Sequence, residues 1–412
     1  MKTAHVVAAI ALWASFSVQA VRAGDWTQWR GPQRAGWAPE FAPPDPWPQK
    51  LAKRWQVAVG SGHASPLVAG DQVYVFTRLK DREGVARLSL DSGETLWRQD
   101  YPAPYTMHGA ALGHGKGPKA TPVLHQGKLY TLGISGILTC FDADEGKVLW
   151  QRKFVDQFER TSPAFGAAAS PLVAAGLLVV HVGGKDDGAL AAFDAENGQP
   201  RWRWDGDGPG YASAVVVRSG DTEQLVTQTQ QHCVGIELHS GRVLWKIPYT
   251  TPYEQNVITP IARGDTVIFS GLEQGTVALR LRQDQGQWRP ETLWKNPQVG
   301  FYMSSPLYHQ GALFGLAHQR KGQFVCLDSK DGTLLWQSEG RQAESAALIG
   351  VGPMLLAVTT AAEAVAFAAD SEGFKPQARQ KIADGPVWAH PAPLADGFLV
   401  KDEGMLIRWG WN

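Results

Sequence analysis

Ten residues of this 412-residue chain have side chains suited to holding a small ligand. They are two lysines, an arginine, a carboxylate, three imidazoles and three aromatic rings. The set is His63, His114, Lys116, Lys119, Tyr253, Tyr302, Arg341, Glu344, Trp388 and His390. Lysine and arginine form charge-assisted hydrogen bonds with carboxylates, and aromatic rings pack against flat ligands. If these residues converge, they predict a site for a small anionic ligand or for an acidic loop of a partner protein.

The densest part of this set is the glycine-rich segment that carries His114, Lys116 and Lys119. Packing alone does not require two cations among four glycines and a proline, so this segment favours binding. The sequence has no Cys-x-x-Cys motif and no compact His/Asp/Glu group, and we predict neither a metal site nor a catalytic residue. Asp186 and Asp187 fit an ordinary turn, with metal binding as a minor alternative.

Several members of the set also have simpler interpretations. His63 and His390 fit the role of hydrogen-bonding partners of neighbouring loops, and Tyr302 and Trp388 fit the role of plugs that fill a channel mouth. A concave site with a few convergent polar groups is the alternative. Both interpretations stay open from the sequence alone.

A repeated unit must position these residues. Residues 305–336 show it best, because a Ser-Pro pair is followed by three short apolar runs, separated by turn signals, and then by Leu-Leu-Trp. This pattern predicts four antiparallel strands. The position of the opening residue recurs at steps of 41–56 residues, at Ser65, Thr121, Ser170, Ser213, Thr259, Ser305, Ala346 and His390.

The end of the unit recurs as well. A closing tryptophan stands at Trp97, Trp150, Trp202, Trp245, Trp294 and Trp336. In five copies a glycine precedes that tryptophan by four residues, at Gly93, Gly146, Gly198, Gly241 and Gly332. The fifth copy has Pro290 instead, and the seventh copy lacks the tryptophan. A four-stranded unit repeated at this spacing is typical of a β-propeller.

We therefore predict an all-β fold, a single eight-bladed β-propeller of four-stranded antiparallel blades over residues 51–412. The last copy ends at Trp409 and Trp411 after three strands, and residues 51–59 with Trp55 have the pattern of a closing strand. An N-terminal strand that completes the last blade would close the ring and remove an exposed sheet edge. Closure would also bring the loops that lead into the innermost strands, here called the inner loops, to one end of the channel. All ten candidate residues lie in or directly after inner loops.

The N-terminal fifty residues form two further segments. Residues 1–23 have the basic start, apolar run and small residues of a secretory signal peptide. We expect an exported protein, periplasmic or extracellular, with no transmembrane segment, because the apolar run is too short to span a bilayer. No cysteine follows the run to carry a lipid anchor. Residues 24–50 are rich in Trp and Pro, and we predict an irregular segment packed across the outside or base of the ring.

Composition narrows the partners. Acidic and basic residues balance at 39 each, which excludes a general nucleic-acid partner because no excess charge would neutralise phosphates. The three cysteines, Cys140, Cys233 and Cys326, are predicted to be buried thiols, and a monomer is expected. The partners that remain are a protein or a small anion.

The repeats resemble the pyrroloquinoline-quinone-type (quinoprotein-like) β-propeller superfamily. The resemblance rests on FDADEGKVLW, FDAENGQPRW and CLDSKDGTLLW, which are similar to its tryptophan-docking repeat, and on DWTQWRGPQRAG near the start. It implies the propeller fold and two types of function. Some members are quinoprotein alcohol and glucose dehydrogenases, and others, similar to this chain in size, are outer-membrane β-barrel assembly lipoproteins that bind no cofactor.

Two functions follow as hypotheses. The first is an exported binding or scaffold protein with a polar, ligand-binding channel mouth. The alternative is a dehydrogenase that oxidises an alcohol or sugar with pyrroloquinoline quinone (PQQ) and calcium. In that case Lys116, Lys119 or Arg341 would pair with the quinone carboxylates and Trp388 would stack on its ring. The resemblance also implies a disulfide between adjacent cysteines in such dehydrogenases, and this sequence has no Cys-Cys pair, which favours the first hypothesis.

Overall fold

Eight four-stranded sheets form the ring of the protein. The computed structural model describes residues 24–411, so the predicted signal peptide lies outside the described residues. Apolar residues on the strands and tight turns between them give each repeat an antiparallel sheet whose strands are hydrogen-bonded in chain order. The predicted all-β fold with eight blades is confirmed.

The first four blades follow the repeat closely, and in each the first strand is innermost. Their strands are Leu67–Ala69, Gln72–Leu79, Arg82–Ser89 and Thr95–Pro102 in blade 1; Val123–His125, Lys128–Leu132, Leu138–Asp142 and Val148–Arg152 in blade 2; Leu172–Ala174, Leu177–Gly184, Asp187–Asp194 and Pro200–Trp204 in blade 3; and Val215–Ser219, Thr222–Gln228, His232–Glu237 and Val243–Pro248 in blade 4.

The other four blades include the two irregular repeats. Their strands are Ile261–Arg263, Thr266–Gly271, Gly275–Asp284 and Gln287–Asn296 in blade 5; Leu307–His309, Ala312–Ala317, Gln323–Asp328 and Leu334–Gln337 in blade 6; Ala346–Val351, Met354–Thr359, Glu363–Ala368 and Pro376–Lys381 in blade 7; and Ala392–Leu394, Gly397–Lys401, Met405–Gly410 and Ala52–Ala58 in blade 8. Short 3-10 helices lie at Gly109–His114, Pro252–Glu254 and Gln319–Lys321.

An N-terminal strand closes the ring, as predicted. Ala52–Ala58 pairs antiparallel with Met405–Gly410 and becomes the outermost strand of blade 8. Its Trp55 donates an indole hydrogen bond to the carbonyl oxygen of Leu90 in blade 1, at 2.9 Å. The two ends of the propeller are therefore joined by a sheet and by a side chain that reaches the next blade.

The closing tryptophan of one blade docks on the glycine of the next blade. Trp202 in blade 3 donates its indole N–H to the carbonyl oxygen of Leu238 in blade 4, at 2.8 Å. Gly241 has φ +73°, and a Cβ built there would lie 2.7 Å from the Trp202 indole. Trp55, Trp97, Trp150 and Trp294 lie in the same way against Gly93, Gly146, Gly198 and Gly332. The repeated glycine is therefore required both by its backbone conformation and by close contact with an indole.

Trp245 shows the consequence when that glycine is missing. Blade 5 has Pro290 in place of the glycine, and the Trp245 indole instead donates to the Gln224 side chain of its own blade, at 2.8 Å. The ring covers Gly235, also in its own blade, and meets Phe269 of blade 5 edge-on with centroids 6.4 Å apart. Trp245 thus still packs between two blades, as predicted, although its hydrogen bond stays within one blade.

The residues that open the blades form a hydrogen-bonded belt around the channel. In each link a backbone N–H of one blade donates to the side-chain hydroxyl of the next blade. The links run from Ser65 to Thr121, Thr121 to Ser170, Ser170 to Ser213, Thr259 to Ser305 and His390 to Ser65, at 2.9–3.2 Å. Blade 7 opens with alanine, and there the backbone N–H of Ala346 donates to Ser304. The recurring small hydroxyl residue is therefore explained by the contact between neighbouring innermost strands.

Residues 24–38, here called the plug, enter the channel from the end opposite the inner loops. Asp25 accepts a hydrogen bond from Gly70 at that far end, and Trp26 pairs with Val68. Trp29 reaches the belt, where its indole donates to Thr259 at 2.9 Å. The chain then turns back, and Trp37–Ala38 adds a parallel strand to blade 7. The segment therefore penetrates further than the outside or base of the ring.

Two buried arginines fasten the plug. Arg30 donates to the carbonyl oxygens of Ser305 and Pro306 in blade 6, at 2.9 and 2.7 Å. Arg34 donates to the carbonyl oxygen of Pro171 in blade 3, at 2.8 Å. Burial lowers the pKa of Arg30 to about 10, and burial together with the charge of Arg30 lowers that of Arg34 to about 9. The plug is thus bound to two separate blades of the ring.

The cysteines behave as predicted. Cys140, Cys233 and Cys326 are free and buried. Burial raises the pKa of Cys140 and Cys326 to about 12, and it also raises that of Cys233. These thiols are packing residues with little thiolate character.

We predict that Trp245→Ala lowers the free energy of unfolding by about 3–5 kcal/mol, because it empties a space between blades 4 and 5. Chemical denaturation measures the loss. Leu149→Ala is the control, since Leu149 is 46% exposed in the equivalent strand of blade 2 and its replacement should change the stability by less than about 1 kcal/mol. Equal losses for the two variants would contradict the packing role of Trp245.

Candidate functional site

A cavity of about 170 Å³ lies at the channel mouth, the end of the channel where the inner loops meet. The belt and the tip of the plug form its floor, through Trp29, Ser213, Ser305 and His390. Inner loops form its walls, through His63, His114, Lys119, Phe165, Ala168, Tyr211, Gln255, Val257, Met303 and Trp388. The site therefore exists because the plug closes the channel halfway along.

Five of the ten candidate residues line this cavity. They are His63, His114, Lys119, Trp388 and His390. The ring thus unites residues that are as far apart in the sequence as 63 and 390. Lys116 is exposed in the same loop as Lys119 but is not part of the lining.

The other four candidates lie around the cavity. Tyr253 and Tyr302 border a neighbouring depression, and Arg341 and Glu344 border another. His318 belongs to both depressions and meets Tyr302 edge-on, with ring centroids 5.3 Å apart. The mouth therefore has a central cavity and an adjoining polar rim.

Tyr302 and Trp388, the two inner-loop residues that the simpler interpretation assigned to filling the channel mouth, do not fill the cavity. Trp388 stands at its wall, 5.7 Å from His114 and 6.5 Å from His63 between ring centroids. The Tyr302 hydroxyl donates to the side chain of Gln255, which itself lines the cavity. This geometry supports a concave site, and it also supports the simpler interpretation of His63, which hydrogen-bonds to the carbonyl oxygen of His114 in the neighbouring loop.

Lys119 is the lysine that lines the cavity, and its surroundings lower its pKa. Its Nζ donates to the carbonyl oxygen of Phe165 at 2.8 Å, and burial lowers its pKa to about 8. The nearby His63 lies with Nε2 3.1 Å from the carbonyl oxygen of His114. Burial, followed by the charge of Lys119, lowers the pKa of His63 to about 4 and also lowers that of His114. At neutral pH the cavity thus holds one cation beside neutral imidazoles.

His390 contributes an unsatisfied polar atom. Its ring packs on Trp29 with centroids 4.3 Å apart. Burial and the charge of Arg30 lower its pKa to about 3. Within residues 24–411 its Nδ1 is buried without a hydrogen-bond partner. Such an atom is costly to bury.

Nine of the fourteen residues that line the cavity were not among the candidates from the sequence. Trp29 comes from the Trp- and Pro-rich N-terminal segment, whose density of tryptophan was the sequence's signal that it packs against the ring. Phe165 and Tyr211 stand in inner loops, but nothing in the sequence separates them from rings that only pack. Gln255 and Met303 carry no signal of their own.

The residues present do not fit a quinone held with calcium. Calcium takes six to eight oxygen ligands, whereas Gln255 supplies the side-chain amide of the lining and no Asp or Glu takes part in it. Among residues 24–411 no group of three or more His, Cys, Asp or Glu side chains is placed to hold a metal.

In the same part of the chain, no helix is both long and apolar enough to cross a membrane.

Solved structures share this fold at low sequence identity. The quinohemoprotein alcohol dehydrogenase ADHIIG of Pseudomonas putida HK5 superposes with a TM-score of 0.64 at 13% identity, covering 94% of this chain and 80% of that one. BamB from Moraxella catarrhalis superposes with a TM-score of 0.60 at 12% identity, covering 88% of this chain and all of that one. At such identities the likeness shows the fold alone.

Curated relatives match by sequence over part of their length. The outer membrane protein assembly factor BamB of Bordetella pertussis is 27% identical over 203 residues, which are 48% of this chain and 45% of that protein. The quinohemoprotein alcohol dehydrogenase ADH-IIG of Pseudomonas putida is 33% identical over 149 residues, 33% of this chain and 20% of that protein. The chain spans about half the length of the first of these relatives and a fifth of the second.

A family model covers more of the chain than that dehydrogenase match. It is described as outer membrane protein assembly factor BamB, and it matches residues 81–338, which include the last two strands of blade 1, all of blades 2–5 and the strands of blade 6. The chain belongs to this family.

Proposed function

We propose that this protein is a scaffold in the assembly of outer-membrane proteins and that it binds an acidic partner at the mouth of its ring. The exported location predicted from residues 1–23 agrees with the outer-membrane role stated in the relatives' names. The observation that carries the proposal is the cavity, which contains Lys119 and three imidazoles and has no carboxylate in its lining.

The rim supports the same kind of partner. Lys116 is exposed beside the cavity, and Arg341 borders the adjoining depression with Lys321. Glu344 is the carboxylate of that depression. Charge-assisted hydrogen bonds strengthen where bulk water is partly excluded, so an acidic loop inserted from the rim toward Lys119 gains most at its tip.

The quinone-dependent dehydrogenase is the second candidate, favoured by the 33% identity to ADH-IIG over 149 residues. We expect the purified protein, mixed with pyrroloquinoline quinone and calcium chloride, to leave the quinone absorption spectrum unchanged and to show no dye-linked oxidation of ethanol or glucose. The reason is that the cavity lacks the oxygen ligands that calcium needs. A calcium-dependent spectral shift together with turnover would establish the dehydrogenase instead.

A lysine pair tests the scaffold in cells. In the source organism with the gene deleted, we expect the Lys116→Met/Lys119→Met double variant to leave the level of folded outer-membrane proteins as low as in the deletion strain. The double variant should keep the melting temperature of the wild type, since Lys116 is exposed and Lys119 makes one hydrogen bond to a loop carbonyl.

The matched control is Lys246→Met/Lys295→Met, which removes two exposed lysines from the outermost strands of blades 4 and 5. This control should restore the outer-membrane proteins to wild-type levels. Restoration by both double variants would show that the mouth is not the working surface.

The charge of Lys119 predicts a pH dependence. The pKa of Lys119 is lowered to about 8, so its positive charge is present at pH 7 and is lost as the pH rises through 8. A fluorescent polyglutamate peptide should therefore bind about tenfold more weakly at pH 9.5 than at pH 7, measured by anisotropy.

Lys119→Arg is the control for this pH dependence, because arginine stays charged at both pH values. In that variant the affinity should change little between pH 7 and pH 9.5. The same loss of affinity in Lys119→Arg would assign the effect to another group, such as the buried Lys401, whose pKa is also lowered to about 8.

A further inference from the structure

We infer that the central cavity binds a small organic anion in which a single carboxylate is attached to a flat apolar ring. This inference rests on the proposed function only for the location of the site, and it adds a ligand of defined chemistry to it. Three properties of the cavity carry the inference, namely its volume, its aromatic surfaces and the number of its charges.

The volume sets the size of the ligand. Pockets for drug-sized molecules have volumes of roughly 300–1,000 Å³, whereas this cavity measures about 170 Å³. An apolar cavity of about 150 Å³ accommodates benzene. The space at the mouth therefore fits one six-membered ring with a small substituent, and it excludes a fused multi-ring molecule unless the loops move.

Aromatic side chains set the shape. Trp29 closes the floor, Trp388 and Phe165 stand at the walls and both meet His114 edge-on, and Met303 adds a thioether. Offset and edge-to-face packing against such surfaces favours a planar ring over a saturated one. The apolar part of the ligand therefore lies among rings that belong to the plug and to the inner loops.

The ionisable side chains of the lining determine which ligand charge fits the cavity. Lys119 donates one of its three ammonium N–H groups to the carbonyl oxygen of Phe165, so two N–H groups remain for a ligand. The imidazoles of His63, His114 and His390 are largely neutral at pH 7 because their pKa values are lowered. One cation beside neutral imidazoles matches a monoanion, whereas a dianion would remain half uncompensated in a partly buried space.

His390 adds a polar ring to the floor of the cavity that Lys119 also lines. The N–H group of a neutral imidazole can donate to a carboxylate oxygen. A ligand with a carboxylate can therefore use both residues, whereas a hydrocarbon can use neither.

Isothermal titration calorimetry with four probes tests the inference on the purified protein. Benzoate should bind saturably at pH 7. Benzamide, which lacks the charge, cyclohexanecarboxylate, which lacks the flat ring, and inorganic phosphate, which lacks the ring and carries more charge, should each bind at least tenfold more weakly than benzoate. Equal binding of benzamide would overturn the role of the carboxylate, and equal binding of phosphate would overturn the need for a ring.

Three variants locate the site. Lys119→Met should weaken benzoate binding at least tenfold, and Ala168→Leu should abolish it by filling the cavity without changing any charge. Lys246→Met, which removes an exposed lysine from the outermost strand of blade 4, is the matched control and should bind like the wild type. Unchanged binding in Ala168→Leu would place benzoate elsewhere and overturn the inference.

A last comparison separates this inference from the proposed function. Saturating benzoate should compete with the polyglutamate peptide if both use Lys119. If benzoate does not bind but the Lys116→Met/Lys119→Met variant still fails in cells, the small-ligand inference is wrong and the scaffold stands. If benzoate binds but that variant supports normal outer-membrane protein levels, the scaffold proposal is wrong and the ligand site stands.

Discussion

The structure depends on the contact between neighbouring blades, because no blade can bury both faces of its sheet alone. Near the channel this contact is the belt, in which a backbone N–H such as that of Thr121 donates to the Ser170 hydroxyl of the next blade. Further out, it is the docking of an indole such as Trp202 on Gly241. Both contacts are made by residues at fixed positions in the repeat, so the requirement of ring closure is the physical origin of the sequence pattern.

Closure also creates the problem that the plug solves. Eight blades leave an axial channel, and the innermost strands present carbonyl oxygens along it. Arg30 and Arg34 satisfy several of these oxygens in two separate blades, while Trp29 fills the level of the belt. Arginine suits this role because its planar guanidinium donates to several acceptors and stays charged when buried. The candidate cavity is the part of the channel that the plug leaves empty.

The sequence predicted what the repeat encodes. The blade number, the closing strand with Trp55 and the convergence of His63, Lys119 and Trp388 all follow from periodic positions, since periodicity fixes where each loop meets the axis. The path of residues 24–38 could not be predicted, because that segment occurs once and has no second copy to reveal its environment. The Trp245 indole turns toward its own blade because blade 5 has Pro290 in place of the repeated glycine. The sequence shows that the glycine is missing, but only the structure shows where the indole goes instead.

The charges of the mouth connect the fold to its use. Lys119, His63 and His390 lie together in a lining without a carboxylate, and burial is the main cause that lowers the pKa of each. The charge of Lys119 adds to this effect at His63, and the charge of Arg30 adds to it at His390. Such an arrangement costs stability in the free protein. A carboxylate that entered the cavity would pair with the Lys119 ammonium group and raise the pKa of Lys119 toward its ordinary value. This is the electrostatic argument for the proposed anion, whether it arrives on a small molecule or on an acidic loop.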